Sequence, residues 1–133
     1  NFLKERNLSS HFLKYGSYDE QQFRDLANKA KFAFIIDDTE SQGIAIQEMM
    51  SLGVPLFVWD VKEWTYMGEE YRVPATSVPY WDERCGEKFY TVDEMGETFD
   101  KFYARINEYD PKGYFEDNLS FECSVKTLLN IIK

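Results

Sequence analysis

The chain has 133 residues, a net charge of −9 and a pI of about 4.6. That balance excludes a nucleic-acid backbone, whose binding depends on neutralising cations, and disfavours an anionic membrane surface. With no apolar run of about 18 residues and no leader-peptide pattern, the expectation is a cytoplasmic protein without a membrane span, long enough for one domain with a core of its own.

Cys85 and Cys123 are far apart and in no metal-ligand spacing, so both are expected as reduced, partly buried thiols. The opening Asn1-Phe2-Leu3 suggests a piece of a longer polypeptide, and two Asn-x-Ser triplets, at Asn7 and Asn118, read as chance in that setting.

His11 to Tyr15 is a short, partly apolar run ending at Gly16, the pattern of a strand and a turn. Lone His11 reads as a strand or surface residue. Ser17 and Glu20 fit a capping box, with Asp19 as an alternative cap. Behind them Phe23, Leu26, Ala27 and Ala30 share one helical face. Phe32 to Ile36 is a continuous apolar run of strand length, expected where both faces of a sheet are covered. Asp37-Asp38-Thr39 then forms a loop; its adjacent carboxylates diverge and do not suit metal ligation.

Between Glu40 and Leu56 the punctuation is dense. A helix is expected from about Gly43 to Leu52, with Ala45, Met49 and Leu52 on one apolar stripe and Ile46 and Met50 beside it. Gly53 can adopt the left-handed conformation that ends a helix, and Pro55 cannot continue one. Leu56 to Trp59 is another wholly apolar strand. Strand, helix, strand, helix, strand with short connections implies a parallel sheet and right-handed crossovers.

In an open parallel sheet, ligands sit outside the carboxyl ends of the strands. A helix starting near Gly43 would point unpaired N–H groups and its positive dipole end there, which suits a diphosphate. Gly43 has no Cβ, so an anion can approach its backbone closely. Glu48 lies about 7.5 Å beyond Gly43 along the axis, at roughly 1.5 Å per residue. Glu40 and Glu48 can therefore flank a diphosphate and accept hydrogen bonds from sugar hydroxyls, where beside a phosphate they would only repel.

Each of these features alone is ordinary: solvated charge on a helix, or Gly-x-Pro after one. As an ordered set, Glu40, Gly43, Ile44, Glu48, Met50, Gly53, Pro55 and Leu56 resemble the E-x7-E signature of nucleotide-sugar-dependent glycosyltransferases with the GT-B fold. That signature runs E-G-F-G-L-x-x-x-E-A-M-A-x-G-x-P-V; Ser41, Gln42 and Met49 depart from it. The resemblance implies an α/β, Rossmann-like doubly wound parallel sheet flanked by helices, part of a GT-B C-terminal domain. It implies Glu40 as the catalytic residue contacting donor-sugar hydroxyls, backbone of Ser41, Gln42, Gly43 and Ile44 on sugar and diphosphate, and Glu48 on the ribose. Gly16 and Ser17 follow where the family places the nucleotide base. The implied reaction moves a sugar, with retention, from a nucleoside diphosphate to an acceptor hydroxyl. It needs no cofactor and no metal beyond the nucleotide-sugar substrate.

The resemblance is strongest from Tyr15 to Trp59. The family's Arg/Lys pair for the diphosphate has no counterpart here, since Lys4 and Arg6 stand in a different context, and the acceptor-binding domain would lie on a missing part of the chain. A non-catalytic Rossmann-like interaction module is the alternative. A flavodoxin or receiver type would need a phosphate loop near the first strand, for which Gly16-Ser17 is poorly suited.

Further along, Val61 to Arg72 is charged and aromatic and expected to be helical in part. Thr76 to Trp81 and Glu87 to Val92 have strand composition. Trp59, Trp64, Tyr66, Tyr71, Tyr80 and Trp81 read as core aromatics before they read as a sugar-stacking surface. Thr91 to Glu94 is a second capping box, with Asp93 in its first turn, before a helix through Met95, Phe99, Phe102, Tyr103 and Ile106. Asp110 to Gly113 reads as a turn. Ser120 caps a last helix expected to bury Val125, Leu128, Leu129 and Ile132.

Overall fold

The computed structural model describes residues 2–37, 40–68 and 70–133. The chain separates into two compact units, Asn1–Ala30 and Lys31–Lys133. The first holds helices α1 (Phe2–Glu5) and α2 (Glu20–Ala27). Asp19 caps α2, its carboxylate accepting from the Gln22 N–H at 2.7 Å, so the alternative cap is the one used and Ser17 stays outside the helix. Phe23 and Ala27 are the buried positions of α2; the helix stops before Ala30. His11 to Tyr15 forms no strand: the run is without regular structure, Tyr15 is 93 % exposed, and among the described residues it pairs with no strand.

The second unit is α/β. Strands β1 (Ala33–Ile36), β2 (Leu56–Trp59) and β5 (Gly86–Phe89) form a parallel sheet in the order β1-β2-β5. Ala33 pairs with Leu56 and Leu56 with Gly86, so the three strands start and end in step. Helix α3 (Ile44–Ser51) links β1 to β2. It ends as its sequence dictates: Gly53 takes φ +77°, its N–H bonds the Met50 carbonyl at 2.9 Å, and the Val54 N–H bonds that of Met49 at 3.0 Å.

The connection from β2 to β5 is not helical. It carries an antiparallel hairpin, β3 (Glu63–Tyr66) and β4 (Tyr71–Pro74), where part of the segment was expected to be helical. Trp64, Thr65, Tyr66 and Val73 supply β-branched and aromatic side chains, and Gly68 at φ +72° sits in the turn. After the hairpin, Thr76 to Trp81 is irregular and not a strand; its polar backbone and side-chain groups are spent on the ends of β1 and β2, described below.

Helices α4 (Val92–Ala104), α5 (Pro111–Asn118) and α6 (Phe121–Ile131) complete the unit. Glu94 accepts the N–H groups of Tyr90 and Thr91 at 2.8 and 3.1 Å, closing the expected box and holding its carboxyl below the usual range. Asp110 does not open a simple turn. It caps α5, accepting from the Gly113 N–H at 2.9 Å, with Pro111 at the first helical position, where a missing N–H costs nothing.

Alternation along the strands sends two sets of side chains to opposite faces. On one, Leu56 and Val58 meet Ile46 and Met50 of α3, Tyr114 of α5, Val78 and Cys85. On the other, Phe34, Phe57 and Phe89 form one ring cluster, with Phe57 and Phe89 centroids 4.8 Å apart, and Phe57 packs against Phe99 and Phe102 of α4. The sheet is thus flanked by helices on both faces. The last helix departs from expectation: Ser120 caps it, but none of its residues is buried, and Leu128, Leu129 and Ile132 are exposed.

Candidate functional site

Helix α3 opens at the carboxyl end of β1, with Gly43 as its N-cap at φ +64° and ψ +48°. Gly43 is buried, and a Cβ there would stand 3.1 Å from Glu40 Cγ. The left-handed backbone and the tight approach both account for glycine. Asp38 and Thr39, part of the loop expected to lead into the site, lie outside the described residues.

Glu40 turns back on its own chain. Its Oε1 accepts the Ser41 N–H at 2.9 Å and approaches the Gln42 N–H at 3.4 Å. Two of the amides expected to meet a diphosphate are thus covered by an internal carboxylate. The amides of Ile44, Ala45 and Ile46 in the first turn of α3 precede the first intrahelical bond, which runs from the Gln47 N–H to the Gly43 carbonyl at 2.9 Å. The Gln42 carbonyl accepts from Gln47 Nε2 at 2.6 Å, and its side-chain Oε1 lies 3.4 Å from the Tyr80 hydroxyl.

Tyr80, Pro79 and Val78 lie against Gln42, Gly43, Ile46 and Met50, leaving no room between them for even a water molecule. The crevice is therefore narrow. Glu48 is half-buried on α3, two residues from each of the core positions Ile46 and Met50, hence on the other side of the helix from that pair. Gly16 and Ser17 belong to the first unit, where Gly16 takes φ +76° and the Ser17 N–H bonds the Lys14 carbonyl at 2.9 Å.

A second group of residues, not singled out in the sequence, holds this end of the sheet together. Asp60 follows the last residue of β2 and is 3 % exposed. Its Oδ1 accepts from the Val61 N–H (2.9 Å), Thr76 Oγ1 (2.7 Å) and the Ser77 N–H (2.8 Å). Its Oδ2 pairs with Lys88 Nζ at 2.9 Å, and that ammonium also lies 5.0 Å from the centre of the Trp81 ring. Burial alone would raise the Asp60 pKa; the Thr76, Lys88 and Ser77 donors outweigh it and hold the carboxyl below its usual value.

Ser77, fully buried, donates its hydroxyl to the Asp37 carbonyl at 2.7 Å, while the Thr76 carbonyl accepts the Glu40 N–H at 3.1 Å. The chain is continuous: Lys88 to Asp60, Asp60 to Thr76, Thr76 to Glu40. The signal for it was an aspartate directly after a wholly apolar strand, at the end where such sheets place ligands.

Among the described residues, no set of three His, Cys, Asp or Glu side chains is arranged to hold a metal ion, and no helix is long and apolar enough to cross a membrane. Comparison with family models, curated proteins and solved structures gives no match.

Proposed function

We propose that the chain is the donor-binding part of a nucleotide-sugar-dependent glycosyltransferase, built on a Rossmann-like doubly wound sheet of the GT-B type. The observation that carries this reading is Glu40 Oε1 on the amides of Ser41 and Gln42, beside the left-handed Gly43 that starts α3. These amides attract an oxyanion, and a carboxylate occupies the position a diphosphate oxygen would take.

On donor binding, the diphosphate replaces Glu40 at the amides and the freed carboxylate turns to the sugar hydroxyls. Tyr80, whose hydroxyl lies 3.4 Å from Gln42 Oε1 and whose ring packs against the core, has to shift to admit the donor. The family resemblance assigns the ribose hydroxyls to Glu48, which lies on the side of α3 away from Ile46 and Met50 and outside the crevice lining, so its part rests on that resemblance alone. In the transfer, the bond from the anomeric carbon to the diphosphate oxygen breaks as a bond to the acceptor oxygen forms. The acceptor's proton passes to the departing diphosphate, whose growing negative charge the amides stabilise. The acceptor-binding domain belongs to a further part of the enzyme.

The test is titration of uridine, guanosine and adenosine diphosphates into the ¹⁵N-labelled chain. The expected result is a saturable shift at Ser41, Gln42, Gly43 and Ile44 with at least one of them. An intact fold with those amides unmoved overturns the reading.

The narrow crevice favours a second reading, a non-catalytic interaction module in which Glu40 is a permanent cap. Glu48→Ala separates the two. Donor binding weakens about two- to ten-fold if Glu48 holds the ribose, roughly the worth of one hydrogen bond, and is unaffected in a module that uses no nucleotide.

A further inference from the structure

The excursion between β2 and β5 leaves and returns past one carboxylate. Asp60 Oδ1 accepts the Val61 N–H where the chain departs, and Thr76 Oγ1 and the Ser77 N–H where it comes back. Beside them the Ala75 N–H bonds the Lys62 carbonyl at 3.1 Å and closes the base of the hairpin. Lys88 Nζ holds the other oxygen of Asp60. Four donors on one buried carboxylate fix the returning segment in place.

That segment in turn holds the candidate site at three points. Ser77 Oγ donates to the Asp37 carbonyl at the end of β1, and the Thr76 carbonyl accepts the Glu40 N–H. Val78, Pro79 and Tyr80 lie against Gln42 and Gly43. Thr76 Oγ1 also accepts the Val78 N–H at 3.1 Å, so one hydroxyl links Asp60 to the residues that close the crevice. Rotation of the Tyr80 side chain alone does not open it: Val78 is 2 % exposed and Pro79 has no rotamer to change. The backbone of the segment has to lift, and its hold on Glu40 goes with it.

We infer that Asp60 is the latch of the crevice over Gly43: when Thr76 and Ser77 leave its carboxylate, Val78, Pro79 and Tyr80 lift and Glu40 loses its own amides in the same step. The Glu40 side chain reaches the Ser41 and Gln42 N–H groups while its backbone is held, and the Thr76 carbonyl holds it. Asp60 does not line the crevice and acts through Thr76 and Ser77, as a positioning residue. The latched form keeps anions from those amides, so affinity there falls with the fraction of molecules that are open. The role in donor binding rests on the glycosyltransferase reading above; the latch does not.

The experiment compares Thr76→Val and Thr76→Ser with the parent chain by amide hydrogen exchange and by titration with uridine, guanosine and adenosine diphosphates. Valine keeps the branched shape without the hydroxyl, and serine restores the hydroxyl. Thr76→Val is expected to speed exchange at Glu40, Ser41, Gln42 and Val78 together, about fivefold, the worth of one hydrogen bond. Thr76→Ser returns the parent rates. In every variant these amides exchange faster than Phe57 and Val58 of β2, which marks opening of the segment and not of the whole fold. A diphosphate that binds the parent is expected to bind Thr76→Val more tightly by the same factor, where a general loss of structure would weaken it.

Faster exchange at Val78 with Glu40 and Ser41 unchanged overturns the latch, because the segment then moves without them. Exchange of all four amides at the rate of Phe57 and Val58 overturns it too, as does equal or weaker diphosphate binding by Thr76→Val when the parent binds. If the four amides quicken together and no diphosphate binds either chain, the latch stands and the donor reading fails. If a diphosphate moves Gly43 in the parent while Glu40 and Ser41 exchange alike in all three chains, the donor reading stands and the latch fails.

Discussion

Lys88 Nζ lies 2.9 Å from Asp60 Oδ2, so the edge strand β5 grips a carboxylate at the end of the central strand β2. Because the partners hold the Asp60 carboxyl below its usual value, the ionised form is the one the fold favours. The sign follows: the stabilisation is complete above the ordinary carboxylate pKa and is lost as pH falls through the lower folded value. Acidification below about pH 4 is expected to shift the Thr76, Ser77 and Glu40 amides together. A pH series of amide spectra reads this; independent movement of the three would break the proposed chain of contacts.

Asp60→Asn keeps the shape but removes the charge facing Lys88, and its amide nitrogen cannot accept. A loss of about 1–3 kcal/mol is expected in urea melts, since Lys88 is partly solvated and recovers some hydration. The acid transition of the Thr76 and Ser77 amides should disappear in this variant. A variant as stable as the parent, with the same acid response, would show that Asp60 is not the group titrating.

Much of this architecture can be read from local punctuation. Strands β1 and β2 are apolar runs, α3 lies between Gly43 and Gly53, and α4 has its Glu94 box, because those signals involve residues within a few positions of one another. What is not legible depends on distant partners. His11 to Tyr15 has strand composition but no neighbouring strand, and Thr76 to Trp81 spends its polar groups on Asp60 and Asp37 instead of a ladder. In the candidate site the helix start at Gly43 was legible. The inward turn of Glu40 and the lid formed by Tyr80 were not, as neither is encoded in the spacing of the two glutamates.

Gly43→Ala tests how tightly the tip is built. A Cβ at φ +64° costs roughly 1–2 kcal/mol in backbone strain, and it would press on Glu40 Cγ. Thermal melting is expected to drop accordingly. Hydrogen exchange at Ser41 and Gln42 should accelerate as their carboxylate acceptor is displaced. Gly43→Ala with unchanged exchange at both amides would show that the Glu40 hydrogen bonds do not depend on this glycine.

Gly86 begins β5 at φ +145°, packed directly on the Leu56 backbone, where a Cβ would collide with the carbonyl. No flexible side chain is available to yield, so β2 and the edge strand β5 would have to separate. Gly86→Ala is expected to cost about 2–5 kcal/mol, combining backbone strain with overpacking. Denaturant unfolding measures this. A loss below that range would mean that β2 and β5 can move apart locally at Gly86 without losing the rest of their pairing.

The two cysteines should react at very different rates. Cys85 is fully buried between the sheet and α5, and burial pushes its thiol up to about 11. Cys123 is partly exposed, its Sγ 3.0 Å from the Asp117 carbonyl. Thiolate is the reacting form, so at about pH 8 Cys85 is both shielded and protonated. Ellman's reagent is expected to titrate Cys123 promptly and Cys85 only at the rate of unfolding. Peptide mapping after a short pulse distinguishes them. Equal labelling of both in the folded chain would require that α5 lifts from the sheet far more often than global unfolding allows.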